Sequence, residues 1–403
     1  MTDSGATSLL GLSEIADVGR DRIRGGYSRH VFDSADQMLR EWFIERATRI
    51  GLDVERDRNG NLWAWWGTPG PNALVTGSHL DSVPGGGAFD GPLGVVSALD
   101  SIARLRAEGV QPTRPVAIVV FAEEEGSRFG VACLGSRLLS GAITAERALA
   151  LTDADGITFA DAARASSLRP EHMGLDSETL SRIGLFVELH VEQGRRLIDL
   201  DAPVGIASSI LAHGRWRLSF TGQANHAGAT PMRDRRDPVV AAAATVAAVP
   251  TLALDTADAR ATVGRMNIVP GGTNVIASRV DVWVDVRADE DHVTRELVDR
   301  IRSTARDWAD RNGCAVTVTE ESWTGRVDFD EEPRNRFVTR LGGAPVLPTG
   351  AGHDAGVLAG TVPTAMLFVR NPTGVSHAPE EWASRDDCEA GIDALVSLIG
   401  SEA

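Results

Sequence analysis

Three short apolar runs in this sequence each end in side chains that can bind a metal ion. Ala73–Thr76 leads to His79, Pro115–Ala122 to Glu123-Glu124-Glu125, and Gly184–Leu189 to His190. Apolar, β-branched runs of this length read as strands buried in a sheet. Helical patterns separate them: Pro92 opens one that reaches about Ala107, with Gly109 beyond its end. Strands alternating with helices, each strand delivering the same kind of polar residue, predict an α/β sheet with a site along one edge.

The first of these ends is the richest. Gly77–Gly91, GSHLDSVPGGGAFDG, places His79, Asp81 and Asp90 in a loop full of Gly and Pro. Imidazole and carboxylate without thiolate suit Zn²⁺, Mn²⁺ or a similar divalent ion. The same stretch also reads as a sheet-edge turn with a hydrogen-bonded His. Its three consecutive glycines lack the lysine of a phosphate-binding loop. Ser136 and Ser376 lack the setting of a nucleophilic serine.

Elsewhere in the first part of the chain, Ser34 is expected to cap a helix over 34–50, ended by Gly51 and carrying Leu39, Trp42, Phe43, Ala47 and Ile50 on one face. Asp57–Gly60 reads as a turn before a strand at Leu62–Trp66. The character changes after about Ala207. Arg215–Phe220 and Val280–Arg287 alternate polar and apolar, with Val280, Val282, Val284 and Val286 on one face and Asp281, Trp283, Asp285 and Arg287 on the other. That is the pattern of an antiparallel sheet covered on one side. Helices at about 237–248 and 291–312 complete the order strand, helix, two strands, helix, strand, which predicts a small ferredoxin-like α+β sandwich. The expected organisation is therefore a catalytic domain over 1–207, an inserted domain over 208–321, and the rest of the catalytic domain over 322–403.

With 403 residues, 43% apolar and 24% charged, the chain is an ordinary globular one, long enough for two cores. Its net charge of −16 disfavours nucleic acid and anionic membrane surfaces as partners. Cys133, Cys314 and Cys388 are too few and too scattered for a disulfide framework or thiolate metal site. The N-terminal MTDSGATSLLGLSE has no basic start or long apolar run. A cytoplasmic location is expected.

The strand-end residues, with His377 near the C-terminus, supply three imidazoles and several carboxylates, the inventory that two neighbouring divalent ions need. The motifs GSHLDS, GGAFDG, EEEGSRF, ELHVEQG, GQANHAGATPM, PGGTNVI, GAGHDAG and GVSHAPEE occur in that order between about residues 25 and 395. Together they resemble the motif series of the M20-type metallohydrolases. More narrowly, they are similar to its amidase branch, the hydantoinase/carbamoylase type that includes N-carbamoyl-L-amino acid hydrolases, β-ureidopropionases and allantoate amidohydrolases.

The resemblance implies a zinc-exopeptidase-like α/β catalytic domain and an inserted domain that serves as lid and dimerisation surface. It implies two divalent ions, Zn²⁺ or Mn²⁺, with Co²⁺ or Ni²⁺ accepted by the same donors. His79 and His190 would hold one, Glu125 and His377 the other, and Asp90 would bridge them. Asp81 would orient the His79 imidazole, and Glu124 would be the general base, although Glu123/Glu124 is a competing register for the acid pair. His226 would polarise the scissile carbonyl across a homodimer. Arg215, Asn274 and Arg287 would bind a substrate carboxylate, with Gln193 and His353 as candidates for substrate contact or for support behind the ligands. His30, His172, His213 and His292 carry no motif. The implied reaction is hydrolysis of a small anionic ureido compound, with allantoate foremost because of Gly25–Arg29, GGAFDG and Arg215 before Trp216. An N-carbamoyl-L-amino acid is the next reading, then a peptide or acyl substrate. A binding protein that kept the fold without the chemistry would be expected to lack a ligand or the base, and none is missing.

Overall fold

The computed structural model describes residues 9–403, so the first eight residues of the N-terminal stretch read above as carrying no targeting signal lie outside it. The chain forms two compact units: the described residues up to Ser209 together with Asp328–Ala403, and Ile210–Val327. The sequence reading set the insertion at 208–321. The difference at its end arises because Arg326 is tied by its amide to Asp291 and by its guanidinium to Asp289, which holds the chain to that unit for a few residues past the strand Ala315–Thr324.

The first unit is built on one mixed sheet. Its centre is four parallel strands in the spatial order Val116–Phe121, Ala73–His79, Ile183–Val191 and Thr364–Val369. Antiparallel strands extend it on both sides, Leu62–Trp66 and Asp53–Arg56 on one and Val204–Ile210 on the other. Every residue of Val116–Phe121 and of Thr364–Val369 is buried. This is why those strands read as unbroken apolar runs: both sheet faces are covered. The helices Pro92–Ala107 and Arg385–Glu402 and the helix Ser34–Arg49 supply Leu99, Ile102, Leu395, Leu398, Leu39 and Phe43 to the core. Each such side chain contributes on the order of 1.5–3 kcal/mol by leaving water.

From Ala73–His79 the chain moves to the neighbour on one side, Val116–Phe121, and the next parallel strand, Ile183–Val191, lies on the other. The order reverses there, so the loops leaving these strands diverge and open a crevice at their carboxyl ends. His79, the acids after Phe121 and His190 all stand at those ends.

The second unit is a four-stranded antiparallel sheet in the order Ala315–Thr324, Ala212–Thr221, Arg279–Ala288 and Arg260–Val269. Val280, Val282, Val284 and Val286 are buried with Leu297 and Ile301 of the helix Asp291–Arg311 and with Ala241 and Val249 of the helix Pro238–Leu254. Among the described residues no helix is long and apolar enough to cross a membrane.

Three local expectations are corrected. The helix from Ser34 is capped by Asp33, whose carboxylate accepts from the Asp36 amide at 2.8 Å, so Ser34 is already helical. The helix expected to end at 248 runs to Leu254 with Pro250 inside it. Proline removes one hydrogen bond there, and the buried Val249 and Ala253 on either side hold the last turns against the core. Asp281, expected on the open face, is 1% exposed because Ser219 and Arg279 both donate to its carboxylate, at 2.6 Å each.

Candidate metal centre

Asp90 is the hub of the crevice. Its Oδ1 lies 3.1 Å from His190 Nε2 and 3.5 Å from His79 Nε2, and its Oδ2 lies 3.4 Å from His377 Nε2. His377 Nε2 is in turn 3.5 Å from Glu125 Oε2. Two groups result, His79–Asp90–His190 and Asp90–Glu125–His377, in each of which the ligand atoms lie within 4.8 Å of one another. One carboxylate thus offers one oxygen to each group.

The two buried imidazoles are fixed from behind. His79 Nδ1 is 3.0 Å from the Asp81 carbonyl and His190 Nδ1 is 2.9 Å from the Val191 carbonyl. A carbonyl only accepts, so each Nδ1 carries a proton, and in the neutral ring each Nε2 turns its lone pair toward the Asp90 carboxylate. Both Nε2 atoms are buried without a hydrogen-bond partner. Lone pairs facing a carboxylate oxygen are satisfied by a cation between them, and this is the physical test that a divalent ion passes here. The same field acts on protons. Burial lowers the affinity of both imidazoles for a proton, but Glu124, Asp81 and Asp90 around His79, and Asp90 and Glu188 around His190, raise both net values. Conversely, burial alone would raise Asp90, and the His190 and His79 imidazoles outweigh it and hold it well below its ordinary value. Burial and then Asp90 push Glu125 up to about 8, and burial and then Asp90 push Glu381 up to about 7. Crowded buried carboxylates with raised proton affinity are sites of unneutralised negative charge.

The three consecutive acids separate cleanly. Glu123, at φ 55°, turns inward and accepts from the amides of Arg128 and Phe129 at 3.0 and 2.7 Å. Glu124 sets Oε2 3.6 Å from His79 Nε2, and Glu125 faces His377. Asp81 serves both this turn and the imidazole: its carboxylate accepts from the amides of Glu124 and Glu125 at 3.2 and 3.0 Å and sets Oδ1 3.6 Å from His79 Nδ1, which its backbone carbonyl meets at 3.0 Å.

Gln193 and His353, candidates for substrate contact or for support behind the ligands, both lie against metal-binding side chains. Gln193 Nε2 donates to Asp90 Oδ2 at 2.8 Å and to Ser376 Oγ at 3.1 Å, bracing the hub. His353 is 2% exposed, packed 4.6 Å from the His190 ring, with burial and then His190 keeping it well below its ordinary pKa and hence neutral. The remaining candidates belong to the second unit. His226 is exposed, and its Nδ1 accepts from the amides of Gly228 and Ala229, both at 3.1 Å, which places the proton of the neutral ring on Nε2. Asn274 is exposed and its carbonyl accepts from the Ala227 amide. Arg287 binds Asp285 through Nε at 2.7 Å and Nη2 at 3.1 Å, and Arg215, across the strand pair, lies 3.5 Å from the same carboxylate.

Glu381 was not singled out from the sequence. Its Oε1 accepts from the amides of Phe89 and Asp90 at 3.0 and 2.9 Å, and its Oε2 from Ser376, tying the His377 loop to the hub. It lies in the motif that also contains His377, but nothing local distinguishes it from Glu380. Glu188 was also passed over; an acid inside an otherwise apolar strand was the available signal, and Ser78 and the Ala355 amide hold it at 2.8 and 2.9 Å.

Gly91 permits the close approach of the Asp90 loop to His79. Its φ is 83°, and a Cβ there would stand 2.5 Å from the imidazole ring. Gly91→Ala should therefore displace His79, cost roughly 1–3 kcal/mol of stability and weaken metal binding at least about tenfold. Metal content after dialysis and the thermal midpoint check this; a variant that retains metal as the wild type does contradicts it.

A set of imidazoles and carboxylates at the carboxyl ends of parallel strands, shared through one aspartate, is a donor set that could hold metal ions, as in metal-dependent hydrolases. Comparison with known proteins gives the family: residues 75–401 match the model of peptidase family M20/M25/M40, and the chain belongs to it. Among its relatives is an N-carbamoyl-L-amino acid amidohydrolase of Geobacillus stearothermophilus, 36% identical over 394 residues and covering 96% of both chains. A probable allantoate deiminase of Oryza sativa subsp. japonica is 34% identical over 433 residues, covering 96% of this chain and 87% of its own. A crystal structure of an amidase of the hydantoinase/carbamoylase family from Burkholderia vietnamiensis superposes with a TM-score of 0.85 at 32% identity, covering 97% and 95% of the two chains. Within the family the chain stands with the hydantoinase/carbamoylase amidases.

Proposed function

We propose that this protein is a binuclear metal-dependent amidohydrolase that cleaves the carbamoyl C–N bond of a linear ureido acid, with N-carbamoyl-L-amino acids as its substrates. The observation that carries the reading is Asp90, one oxygen of which belongs to the His79–His190 group and the other to the Glu125–His377 group. Those five residues would hold two divalent ions, Zn²⁺ or Mn²⁺, with Co²⁺ or Ni²⁺ fitting the same donors. Bound there, such ions supply Lewis-acid activation of water and of a carbonyl oxygen.

The residues of the chain do the rest. Glu124 takes the proton of the attacking water and returns it to the departing nitrogen, a shuttle suited to a carboxylate whose proton affinity burial has raised. Across a homodimer, His226, whose Nδ1 accepts two amides and so keeps the neutral ring's proton on Nε2, stabilises the charge that develops on the carbonyl oxygen of the partner's substrate. Arg215 and Arg287, which stand together at Asp285, receive the substrate carboxylate, whose two oxygens suit a guanidinium's planar set of N–H donors. Overall, R–NH–CO–NH₂ and water yield R–NH₂, CO₂ and NH₃. The outer strand Arg260–Val269 exposes Met266, Ile268 and Val269, which supports a homodimer formed through the inserted unit. Three free cysteines suit a reducing, cytoplasmic setting.

Allantoate is the second reading, favoured by Gly25–Arg29, the GGAFDG segment and Arg215-Trp216 in the sequence and by the 34% identity to the probable allantoate deiminase. Ammonia release from allantoate and from several N-carbamoyl-L-amino acids, ranked by kcat/KM, decides between them. The expected order puts an N-carbamoyl-L-amino acid first by more than about tenfold, the scale of discrimination a side-chain pocket provides. Allantoate first would reverse the choice, and no turnover of either class would end the ureido reading.

A further inference from the structure

The two oxygens of Glu124 have different neighbours. Oε2 faces His79, whereas Oε1 lies 3.3 Å from the sulfur of Cys133. Cys133 is 2% exposed and sits in left-handed backbone, φ 55° and ψ 37°, an unfavourable region for a residue with a Cβ. It precedes the helix Leu134–Ser140 but its side chain caps nothing. Leu134 and Leu138 of that helix enter an apolar cluster with Phe129 and Phe159, while the thiol turns to the carboxylate. The Cys133 amide also donates to the Glu124 carbonyl at 2.6 Å, and the next two amides donate to the carbonyls of Glu123 and Ala122. Backbone and side chain of Cys133 therefore grip one residue.

We infer that Cys133 is a positioning residue for the reaction: its S–H donates to Oε1 of Glu124 and orients the carboxylate so that Oε2 takes and returns the proton. The inference rests on Glu124 being the base. A thiol is a weak donor, so it fixes direction while drawing little charge from the carboxylate. Burial and then the Glu124 carboxylate push the Cys133 thiol far above its ordinary value, which keeps the proton on sulfur.

The test compares Cys133→Ala, Cys133→Ser and Cys133→Gly with the wild type in kcat, KM, metal content and thermal midpoint. Cys133→Ala should lower kcat about tenfold, with KM and metal content held, because a misdirected catalytic group costs rate without costing binding. Cys133→Ser should restore most of that loss through its hydroxyl. Cys133→Gly should melt higher than Cys133→Ala, because glycine accepts the left-handed backbone, yet share its low kcat. A kcat that follows the thermal midpoint across the three, or an unimpaired Cys133→Ala, overturns the inference. Glu124→Gln and its double variant with Cys133→Ala are measured beside them, and Cys133→Ala should then have no further effect. An inactive Glu124→Gln beside an unimpaired Cys133→Ala rejects the positioning role alone. A fully active Glu124→Gln instead removes the base assignment and the inference with it.

Discussion

Glu124→Gln should reduce kcat by about 10²–10⁴-fold, the usual contribution of a positioned acid–base group, while the protein keeps its metal. Glutamine has the size and reach of glutamate but cannot take up a proton at neutral pH. Glu124 lies outside both groups of candidate ligands, so neither loses a donor. Nor should the fold suffer. Burial, and then Asp354, Glu125 and Asp81, favour the neutral form of Glu124, so a neutral amide of the same size adds no charge to its surroundings. The control is Glu123→Gln. Glu123 accepts two backbone amides with one oxygen, a role an amide oxygen can also fill, so kcat should stay within a few-fold of wild type. Steady-state kinetics with metal analysis of each purified variant checks both. An exchange of the two phenotypes would mean that the base is Glu123.

Why the site could be read so far from sequence has a physical reason. The central strands are buried on both faces, so their residues are apolar almost without exception, and a His or a Glu at the end of such a run stands out. His79, Glu124–Glu125 and His190 were visible for that reason, and the structure gathers them at the strand-order reversal with Asp90 and His377. The supports were not visible because they are contacts between distant segments. Glu381 meets the amide of Asp90 across 291 positions, and Gln193 reaches it across 103. Sequence pattern gives which residues face a crevice, not which of two neighbouring glutamates turns back to brace a loop. Local choices between equals failed in the same way. Asp33 and Ser34 are both good helix caps, and only the backbone path selects Asp33. Arg287 was placed on the polar face of its strand, but that Asp285 would occupy its fork, and Arg215 approach from the next strand, depended on the register of the pairing.

Asp90→Asn should empty both halves of the centre at once. Asn keeps the shape and one carbonyl oxygen, but the group no longer carries the charge that lies 3.1 Å from His190 Nε2 and 3.4 Å from His377 Nε2. Its amide nitrogen, in either orientation, would turn a donor toward one of the groups, and a donor repels a cation. Affinity for metal should therefore fall by more than the roughly 10–100-fold that follows loss of an outer hydrogen bond to a ligand. Without metal the variant should also lose some stability, because the His190 and His79 imidazoles outweigh burial and favour the charged Asp90, to which Gln193 and Ser376 also donate. Binding to the native state alone stabilises by about 2.7 kcal/mol at a metal concentration 100 times Kd, so the wild type should melt higher when Zn²⁺ or Mn²⁺ is added to the chelated protein. The Asp90→Asn protein should show no such rise, hold less than one ion per chain, and hydrolyse nothing. Chelation of the wild type should likewise abolish turnover, with divalent metal restoring it. A variant that still binds two ions and still melts higher with metal would show that Asp90 joins nothing, and the two donor groups would then have to be treated as separate sites.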